Sequence, residues 1–314
     1  MSLKYIFTAI LLSCFLLQTG FTLAENEGPP YEEIAAVTNV PWYWLAAADA
    51  YEHGIRAGRG EPLDDHELAI AYSAEEWSGA LNPALDDTDP DRINFFQGKG
   101  KDGNDSGHAD REEEFDVLFT FAEHLASYGV TDQDIQIGLW EHYNRDQAVR
   151  LISGHAALLK AYTDQDLRER AFPLPPKSHY TYHNNWGASR GWGGRRAHEG
   201  VDIFADYGTP VQATTYGRIE LIGWNRFGGW RVGIRDLSNT YHYFAHLSQF
   251  TEDLEAGDLV EPGEVLGYVG SSGYGPEGTS GRFPPHLHYG MYRDNGHTEW
   301  ALNPYFHLKM WDEK

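Results

Sequence analysis

Hydrophobic residues recur at a helical spacing, with polar residues between them, in the first half of the chain. Apolar residues between Phe115 and Leu125 recur three or four positions apart, and Gly129 follows where the helix should end. Pro41 precedes another apolar run, at a position where proline favours the start of a helix. The pattern therefore predicts a helical region over residues 34–162.

The pattern changes after residues 172–176, where three prolines disfavour a helix and favour an extended segment. Short β-type stretches follow, separated by glycine and by Ser238-Asn239. The predicted strands are 211–213, 217–224, 230–236, 240–245, 265–269 and 287–292. We expect an antiparallel β domain here and a multidomain α+β protein as a whole.

These patterns divide the chain into four parts. The predicted parts are an N-terminal segment at 1–24, an all-α domain at 30–165, a proline-rich linker at 166–190 and an antiparallel β domain at 191–314. The lengths suit two ordinary domains, and the 41% hydrophobic and 14% aromatic content is enough for packed cores.

The N-terminal segment has the pattern of an export signal. Lys4 precedes an apolar run that continues to Leu23, and Ala24 offers a small residue for cleavage. An uncleaved membrane anchor is the alternative, because the run is close to the ~20 residues that span a bilayer. Cys14 is the only cysteine, so an exported chain would contain no disulfide. We predict a secreted or cell-envelope-associated protein.

The net charge argues against one class of partner. The chain carries 47 acidic and 24 basic residues, with a formal net charge of −23. Such a charge disfavours nucleic acid or an anionic membrane surface as the main partner. It does not indicate the oligomeric state.

Two histidine-containing segments far apart in the chain suggest a metal site. Side chains alternate on a strand, so His286 and His288 point the same way, as do His198 and Asp202. If the two strands are neighbours, these polar groups meet. Imidazole nitrogen and carboxylate oxygen are ligands that hold Zn²⁺ and leave a position open for water.

Residues from about 190 to 308 resemble the lysostaphin/LytM-type zinc metallopeptidases, which cut bacterial cell-wall peptides. The segments that carry the resemblance stand in the family's order. They are His198-Glu199-Gly200-Val201-Asp202-Ile203, Gly208-Thr209-Pro210-Val211, Tyr243-Phe244-Ala245-His246-Leu247, the glycine-containing turns at 257–260 and 263–267, Pro285-His286-Leu287-His288-Tyr289 and Asn303-Pro304-Tyr305.

The resemblance implies that His198, Asp202 and His288 bind Zn²⁺ and that His246 and His286 are catalytic. One histidine would handle the proton and another donor would stabilise the oxyanion, but the sequence leaves open which histidine is the base. His242 is interpreted as an ordinary strand residue. The insert at 274–284 either lines the substrate groove or is a plain loop.

The helical half resembles, less closely, the lytic transglycosylases and goose-type lysozymes. The matching segments are 37–42, 45–52, 116–119 and 139–144. The resemblance implies that Glu52 is the general acid that cleaves the glycosidic bond, with a pKa raised by burial. This family usually has serine after the glutamate, whereas this chain has His53. The alternative is that Glu52 is a solvated helix carboxylate.

An acidic segment in the helical half has the spacing of a calcium loop. Oxygen-bearing side chains stand at positions 1, 3, 5, 9 and 12 of a twelve-residue loop, and Gly107 stands at position 6. The candidate Ca²⁺ ligands are Asp102, Asn104, Ser106, Asp110 and Glu113. The alternative is a plain acidic turn that caps the following helix.

Together these patterns predict an exported cell-wall hydrolase, a zinc endopeptidase that cleaves peptidoglycan peptides, with glycan cleavage by the helical domain as a second activity. The alternative is a non-catalytic peptidoglycan-binding or scaffold protein that keeps the peptidase fold. The complete histidine and aspartate set favours the enzyme.

Overall fold

A computed structural model describes residues 28–64, 66–191 and 194–312. The predicted export segment at 1–24, with Cys14, lies outside the described residues. Among the residues that are described, none of the helices has both the length and the apolarity of a membrane span.

The N-terminal half is helical, as predicted, but between residues 60 and 113 the chain is mostly irregular and includes two short helices. Its helices are α1 (Tyr31–Thr38), α2 (Trp42–Arg59), α3 (Ala74–Ser78), α4 (Pro90–Phe95), α5 (Glu114–Ala126), α6 (Asp132–Tyr143) and α7 (Asp146–Ala161). Pro41 directly precedes α2, and Gly129 follows α5 with a positive φ of 121°. Leu45, Leu118 and Leu151 are fully buried in the shared core of these helices.

The C-terminal half is one large antiparallel sheet, which confirms the predicted β domain. Its strands are β1 (Tyr180–Tyr182), β4 (Val201–Ala205), β5 (Pro210–Gln212), β6 (Gly217–Asn225), β7 (Gly229–Arg235), β8 (Thr240–Phe250), β9 (Leu259–Val260), β10 (Val265–Val269), β11 (His286–Asp294) and β12 (Glu299–Leu302). The strand order is β1-β4-β11-β8-β7-β6-β9, with β10 pairing β5 and β8, and β12 pairing β11. A separate pair, β2 (Ser189–Arg190) and β3 (Arg196–Ala197), precedes β4, and α8 (Tyr305–Asp312) ends the domain.

Part of the predicted linker is integrated into the β domain. Phe172 and Leu174 are buried in its core, and β1 pairs with β4. The prolines do keep this segment extended, as the sequence indicates. An extended segment that carries Phe and Leu can nevertheless pack against a sheet, so the structure differs from the predicted linker here.

The helical half is packed directly against the β domain. Arg145 makes two hydrogen bonds, of 2.5 and 2.9 Å, with the carboxylate of Asp294 at the end of β11. Gly54 and Gly58 of α2 permit the close approach, because a Cβ on Gly54 would lie 2.4 Å from Cβ of Asn239. The Asn239 amide in turn donates to the carbonyl of Asp294 at 3.0 Å. The two halves therefore meet beside the strand that carries His286 and His288.

Candidate metal centre and active site

Strand pairing brings the two predicted metal motifs together. In the antiparallel pair β4 and β11, Asp202 stands directly opposite His288. Directly opposed residues of a sheet project to the same face, so both side chains reach the same point. His198 lies just before β4 and is buried at the same point.

The three candidate ligand atoms form a small triangle. His198 Nε2 lies 2.9 Å from His288 Nδ1 and 3.0 Å from Asp202 Oδ1, and His288 Nδ1 lies 3.1 Å from the same oxygen. In a tetrahedral zinc site with bonds of 2.0–2.1 Å, ligand atoms are separated by roughly 3.3 Å. Within the described part of the chain, this is the one group of three or more His, Cys, Asp or Glu side chains close enough to hold a metal. The donor set and its size fit Zn²⁺.

Neighbouring groups hold the ligands in position. The Nδ1 of His198 lies 2.9 Å from the carbonyl of Asn185 and donates to it, which leaves Nε2 with its lone pair facing the triangle. The second carboxylate oxygen of Asp202 accepts hydrogen bonds from Asn185 and from Arg190. Burial raises the pKa of Asp202, but the neighbouring imidazoles of His198 and His288 outweigh it and keep that pKa well below its usual range. The carboxylate is therefore ionised, as metal binding requires.

His246 reaches the site only because β8 contains a bulge. Ala245 stands across from His288, so regular alternation would place Ala245 on the metal face and His246 on the opposite one. Between the pairs Val232–Phe244 and Trp230–Leu247, however, β8 has one more residue than β7. His246 adopts φ 65° at this bulge. The bulge redirects its ring to 4.8 Å from that of His286 and 5.9 Å from that of His288.

His246 and His286 have the form that a general base needs. The Nδ1 of His246 donates to the Ser272 carbonyl at 2.8 Å, and the Nδ1 of His286 donates to the Pro284 carbonyl at 2.9 Å. These partners assign the proton to Nδ1 and leave Nε2 as an acceptor. Burial lowers the pKa of both histidines, that of His246 well below its ordinary value. Both are therefore neutral near pH 7.

Comparison with known proteins identifies the family. A family model described as peptidase family M23 matches residues 196–304. The whole chain is 49% identical, over 318 aligned residues, to an L-Ala–D-Glu endopeptidase of Bacillus subtilis (strain 168), and the match covers 99% of this chain and 98% of that protein. The chain belongs to peptidase family M23.

Other relatives match a smaller part of the chain. Lysostaphin of Staphylococcus simulans is 32% identical over 114 residues, which cover 36% of this chain and 21% of that protein. A solved structure of the lysostaphin catalytic domain from the same organism is 31% identical, with a TM-score of 0.34, and covers 41% of this chain and 92% of that chain.

Membership of M23 confirms the predicted class of enzyme. The protein is a peptidoglycan endopeptidase of the M23 metallopeptidase family. M23 peptidases depend on zinc, and this M23 chain has a His/Asp group that can hold the metal.

The structure places Glu52 in α2, apart from this site. Its side chain is half-buried, and burial raises the pKa of its carboxyl while Tyr143 and Arg59 lower it. Glu52 is therefore not freely solvated. It does not line the cleft that contains the metal centre. The lysozyme-like identity of the helical half stays a prediction.

The candidate calcium loop of this M23 chain is closed by its own hydrogen bonds. The Asp102 carboxylate accepts from the backbone amides of Ser106 and Gly107, at 3.0 and 2.7 Å. The side chain of Asn104 donates to Glu113 at 2.6 Å. The Asp110 carboxylate accepts a hydrogen bond from the backbone amide of Glu112 at 2.9 Å. Calcium binding by this loop stays a prediction.

The structure also shows where His242 and the insert at 274–284 lie. His242 is fully buried in β8 and contacts the Tyr289 hydroxyl at 2.6 Å and Asp236 at 3.2 Å, so it is an internal strand residue, as predicted. Tyr274 and Phe283, from the insert, line the cleft, and their rings contact that of His246. These two residues of the insert therefore line the cleft, which favours the groove-lining interpretation.

The sequence interpretation missed one feature of the cleft, which is its content of arginine. The cleft has a volume of about 560 Å³. Its arginines are Arg150, Arg190, Arg196, Arg231 and Arg235. The repeated arginines near the predicted strands could have indicated a positively charged cleft. Nothing in the sequence indicated that Arg150 of α7 belongs to it, because only the packing of the two halves brings that residue to the cleft.

Proposed function

We propose that this M23 peptidase hydrolyses the L-Ala–D-Glu bond of the peptidoglycan stem peptide, with Zn²⁺ held by His198, Asp202 and His288. The observation that carries the proposal is the 49% identity to an L-Ala–D-Glu endopeptidase over both halves of the chain. A relative that shared only the β domain would give no such reason to choose this bond, because walls outside the metal centre select the substrate.

The metal has a defined task at this position. Zn²⁺ supplies Lewis-acid chemistry, which stabilises negative charge that develops on oxygen during amide hydrolysis. His198 and His288 contribute neutral nitrogen donors, and Asp202 contributes one negative charge that stays ionised. Asn185 and Arg190 keep the carboxylate and the His198 ring in the orientation that binding requires.

We assign the proton transfers to His246 and His286. Both present an unprotonated Nε2, since each donates its Nδ1 proton to a backbone carbonyl. One Nε2 takes the proton of the attacking water, and a histidine so protonated returns it to the nitrogen of the leaving D-Glu. Phe283 and Tyr274 pack against the His246 ring and limit its exchange with bulk water.

The test is digestion of purified muropeptides followed by mass analysis. The proposal requires a product whose N-terminal residue is D-Glu and a second product that retains L-Ala on the muramic acid. Chelator and the variant His288→Ala should both abolish these products. Cleavage at a different bond would refute the assigned specificity, and cleavage that survives both treatments would refute the metal mechanism.

We also propose, as a second candidate activity, that the helical half cleaves glycan strands with Glu52 as general acid. The observation in its favour is the raised pKa of the half-buried Glu52 carboxyl beside Tyr143. Glycan digestion by a His288→Ala variant should then give anhydro-muropeptides, and these should disappear in the double variant with Glu52→Gln. Their persistence in the double variant would exclude Glu52 as the acid.

We further propose that the protein works outside the cytoplasm, in the cell envelope or after secretion. The proposal rests on the export pattern of residues 1–24 and on a substrate that is part of the cell wall. Mass analysis of the mature protein from the cell envelope would test it. A mature chain that begins near residue 25 supports a cleaved signal, and an intact N-terminus in a membrane fraction supports an anchor. An intact chain confined to the cytoplasm would contradict both.

A further inference from the structure

Arginine is concentrated in the cleft of an otherwise acidic chain. Five of the 24 basic residues of the chain line this one cleft, which also contains the metal centre. The carboxylates that line it are Glu199, Asp202, Glu220 and Glu299. The cleft therefore has one more arginine than carboxylates, whereas the chain as a whole has 47 acidic and 24 basic residues.

Two of the arginines have carboxylate partners within the protein. Arg190 pairs with Asp202, one of the candidate metal ligands. Arg235 is buried and pairs with both Glu220 and Glu299, at 3.2 and 2.5 Å. These two guanidinium groups are already neutralised, so they contribute little to binding an anion.

Arg231 is different, and it lines the same cleft as the metal centre, with the Tyr243 ring between its guanidinium and the His288 ring. In the described residues no carboxylate lies within ion-pair distance of it, and its Nε is buried without a hydrogen-bond partner. Its guanidinium lies 5.9 Å from the ring centroid of Tyr243, and that ring lies 5.9 Å from the ring of His288. Arg231 is partly exposed and lines the cleft, so its guanidinium, which has no carboxylate partner among the described residues, is available to an anionic ligand.

Two further arginines extend this positive wall. Arg196 lies over the ring of Phe227, 5.3 Å from its centroid, and Arg150 is hydrogen-bonded to Gln147. Neither has a carboxylate partner among the residues that the structure describes. Arg150 and Gln147 belong to α7, so the helical half forms part of the wall of the peptidase cleft.

The proposed substrate has a carboxylate at the place where these arginines could bind it. In a peptidoglycan stem peptide, D-Glu is joined to the next residue through its side-chain carboxyl, which leaves its α-carboxyl free. That carboxylate is attached to the same carbon as the scissile nitrogen. A group that binds it must therefore lie in the cleft that contains the metal centre, and Arg231 lines that cleft.

We propose that Arg231, supported by Arg196 and by Arg150 of the helical half, binds the free α-carboxylate of the D-Glu residue and selects stem peptides in which it is not amidated. This proposal rests on the proposed L-Ala–D-Glu specificity. A guanidinium binds a carboxylate through two parallel charge-assisted hydrogen bonds, which an uncharged amide cannot reproduce. A site built for such a group discriminates strongly against an analogue that lacks it.

The experiment compares two muropeptides that differ only in this group, one with the free α-carboxylate and one with the α-carboxamide. We expect wild-type kcat/KM to be at least about tenfold higher for the acid. In Arg231→Gln the ratio of kcat/KM for the acid to kcat/KM for the amide should fall to near one, because kcat/KM decreases for the acid and changes little for the amide. Arg150→Gln should reduce the preference in part, and Arg231→Lys should retain part of it.

Two outcomes would overturn the proposal. One is a wild-type enzyme that cleaves both substrates equally well. The other is an Arg231→Gln variant that loses the same factor on both, which a merely structural role would produce. Arg111→Gln, which removes a surface arginine paired with Glu112, is the matched control and should keep the wild-type preference. If Arg231→Gln does not fold, the proposal is tested by the acid-to-amide preference of wild type and of Arg150→Gln, whose substitution lies at an exposed position. An Arg150→Gln variant with the full wild-type preference would then contradict it.

The same digests separate this proposal from the one on which it rests. The product masses identify the bond that is cut. Cleavage at another bond would refute the L-Ala–D-Glu assignment, whereas the ratio of acid to amide rates tests the arginines independently of which bond is cut.

Discussion

Asp202 and His288 are directly opposed residues of neighbouring antiparallel strands, and their ligand atoms lie 3.1 Å apart although 86 positions separate them in the chain. The metal centre therefore depends on the register of β4 and β11. A slip of one residue would turn one of the two side chains to the opposite face of the sheet. His198 completes the triangle from the segment that enters β4.

Gly200 provides the space that the His288 ring occupies. A Cβ at this position would lie 2.5 Å from Cε1 and 2.7 Å from Nε2 of His288. We expect Gly200→Ala to displace the ring and to weaken zinc binding by about 10–100-fold, the range seen when the support of a ligand is disturbed. Competition with a chromophoric chelator measures this. Gly191→Ala, where a Cβ meets nothing within 4 Å, is the matched control, and equal zinc affinity in both variants would contradict the prediction.

His246 and His286 should be separable from metal binding. Each is replaced by alanine, and kcat/KM on muropeptides is expected to fall by about 10²–10⁴-fold, the usual contribution of a general acid or base. Zinc content should stay at the wild-type level in both variants, because neither residue belongs to the ligand triangle. His297→Ala, at an exposed position, serves as the control. Loss of zinc together with activity would indicate that the assigned roles are wrong.

Arg145 should stabilise the packing of the two halves. Its partner Asp294 is only 1% exposed, so Arg145→Ala leaves a buried carboxylate without its ion-pair partner. Because Arg145 is itself a quarter exposed, we expect a loss of about 2–3 kcal/mol in the free energy of unfolding, below the full value for a buried pair. Chemical denaturation measures the loss. Arg111→Ala, which breaks a surface pair, should cost at most about 1 kcal/mol. Equal effects of the two variants would exclude the proposed role of Asp294.

His155 should make the protein sensitive to acid. It is fully buried beside Ala47 and Asp236, and burial lowers its pKa from 6.5 to about 4. Between these values the unfolded chain takes up a proton that the folded chain does not, so stability falls as the pH decreases from 6.5 towards 4. The expected loss from this residue is on the order of 3 kcal/mol.

Unfolding curves of wild type and of His155→Gln across this pH range test the prediction. The slope of stability against pH is the quantity compared, because the substitution can change stability at every pH. We expect a shallower slope in the variant. Parallel slopes would show that His155 does not titrate on unfolding in this range.

The sequence predicted six strands of the sheet but not β1, β4, β9 and β12, and the family resemblance was needed to select the three residues of the metal triangle. Alternation on β11 correctly predicted that His286 and His288 share a face. On β8 the same rule places His246 on the wrong face, because a bulge cannot be recognised from alternation alone. Only the resemblance to a known family pointed to His246.

Long-range packing explains the other differences. The extended segment around Phe172 and Leu174 is part of the β core, since an apolar extended chain packs wherever a sheet offers a surface. Arg150 reaches the cleft only because α2 and α7 pack against the β domain through contacts such as the pair Arg145–Asp294. No local pattern in the sequence specifies such contacts.

The proposed mechanism requires one Zn²⁺ ion between β4 and β11 for peptide cleavage. Anomalous diffraction at the zinc edge, from crystals of enzyme shown to be active, locates such an ion. We expect one strong peak at about 2.0–2.2 Å from each of His198 Nε2, Asp202 Oδ1 and His288 Nδ1. Crystals of fully active enzyme with no metal peak within reach of these three atoms would contradict it.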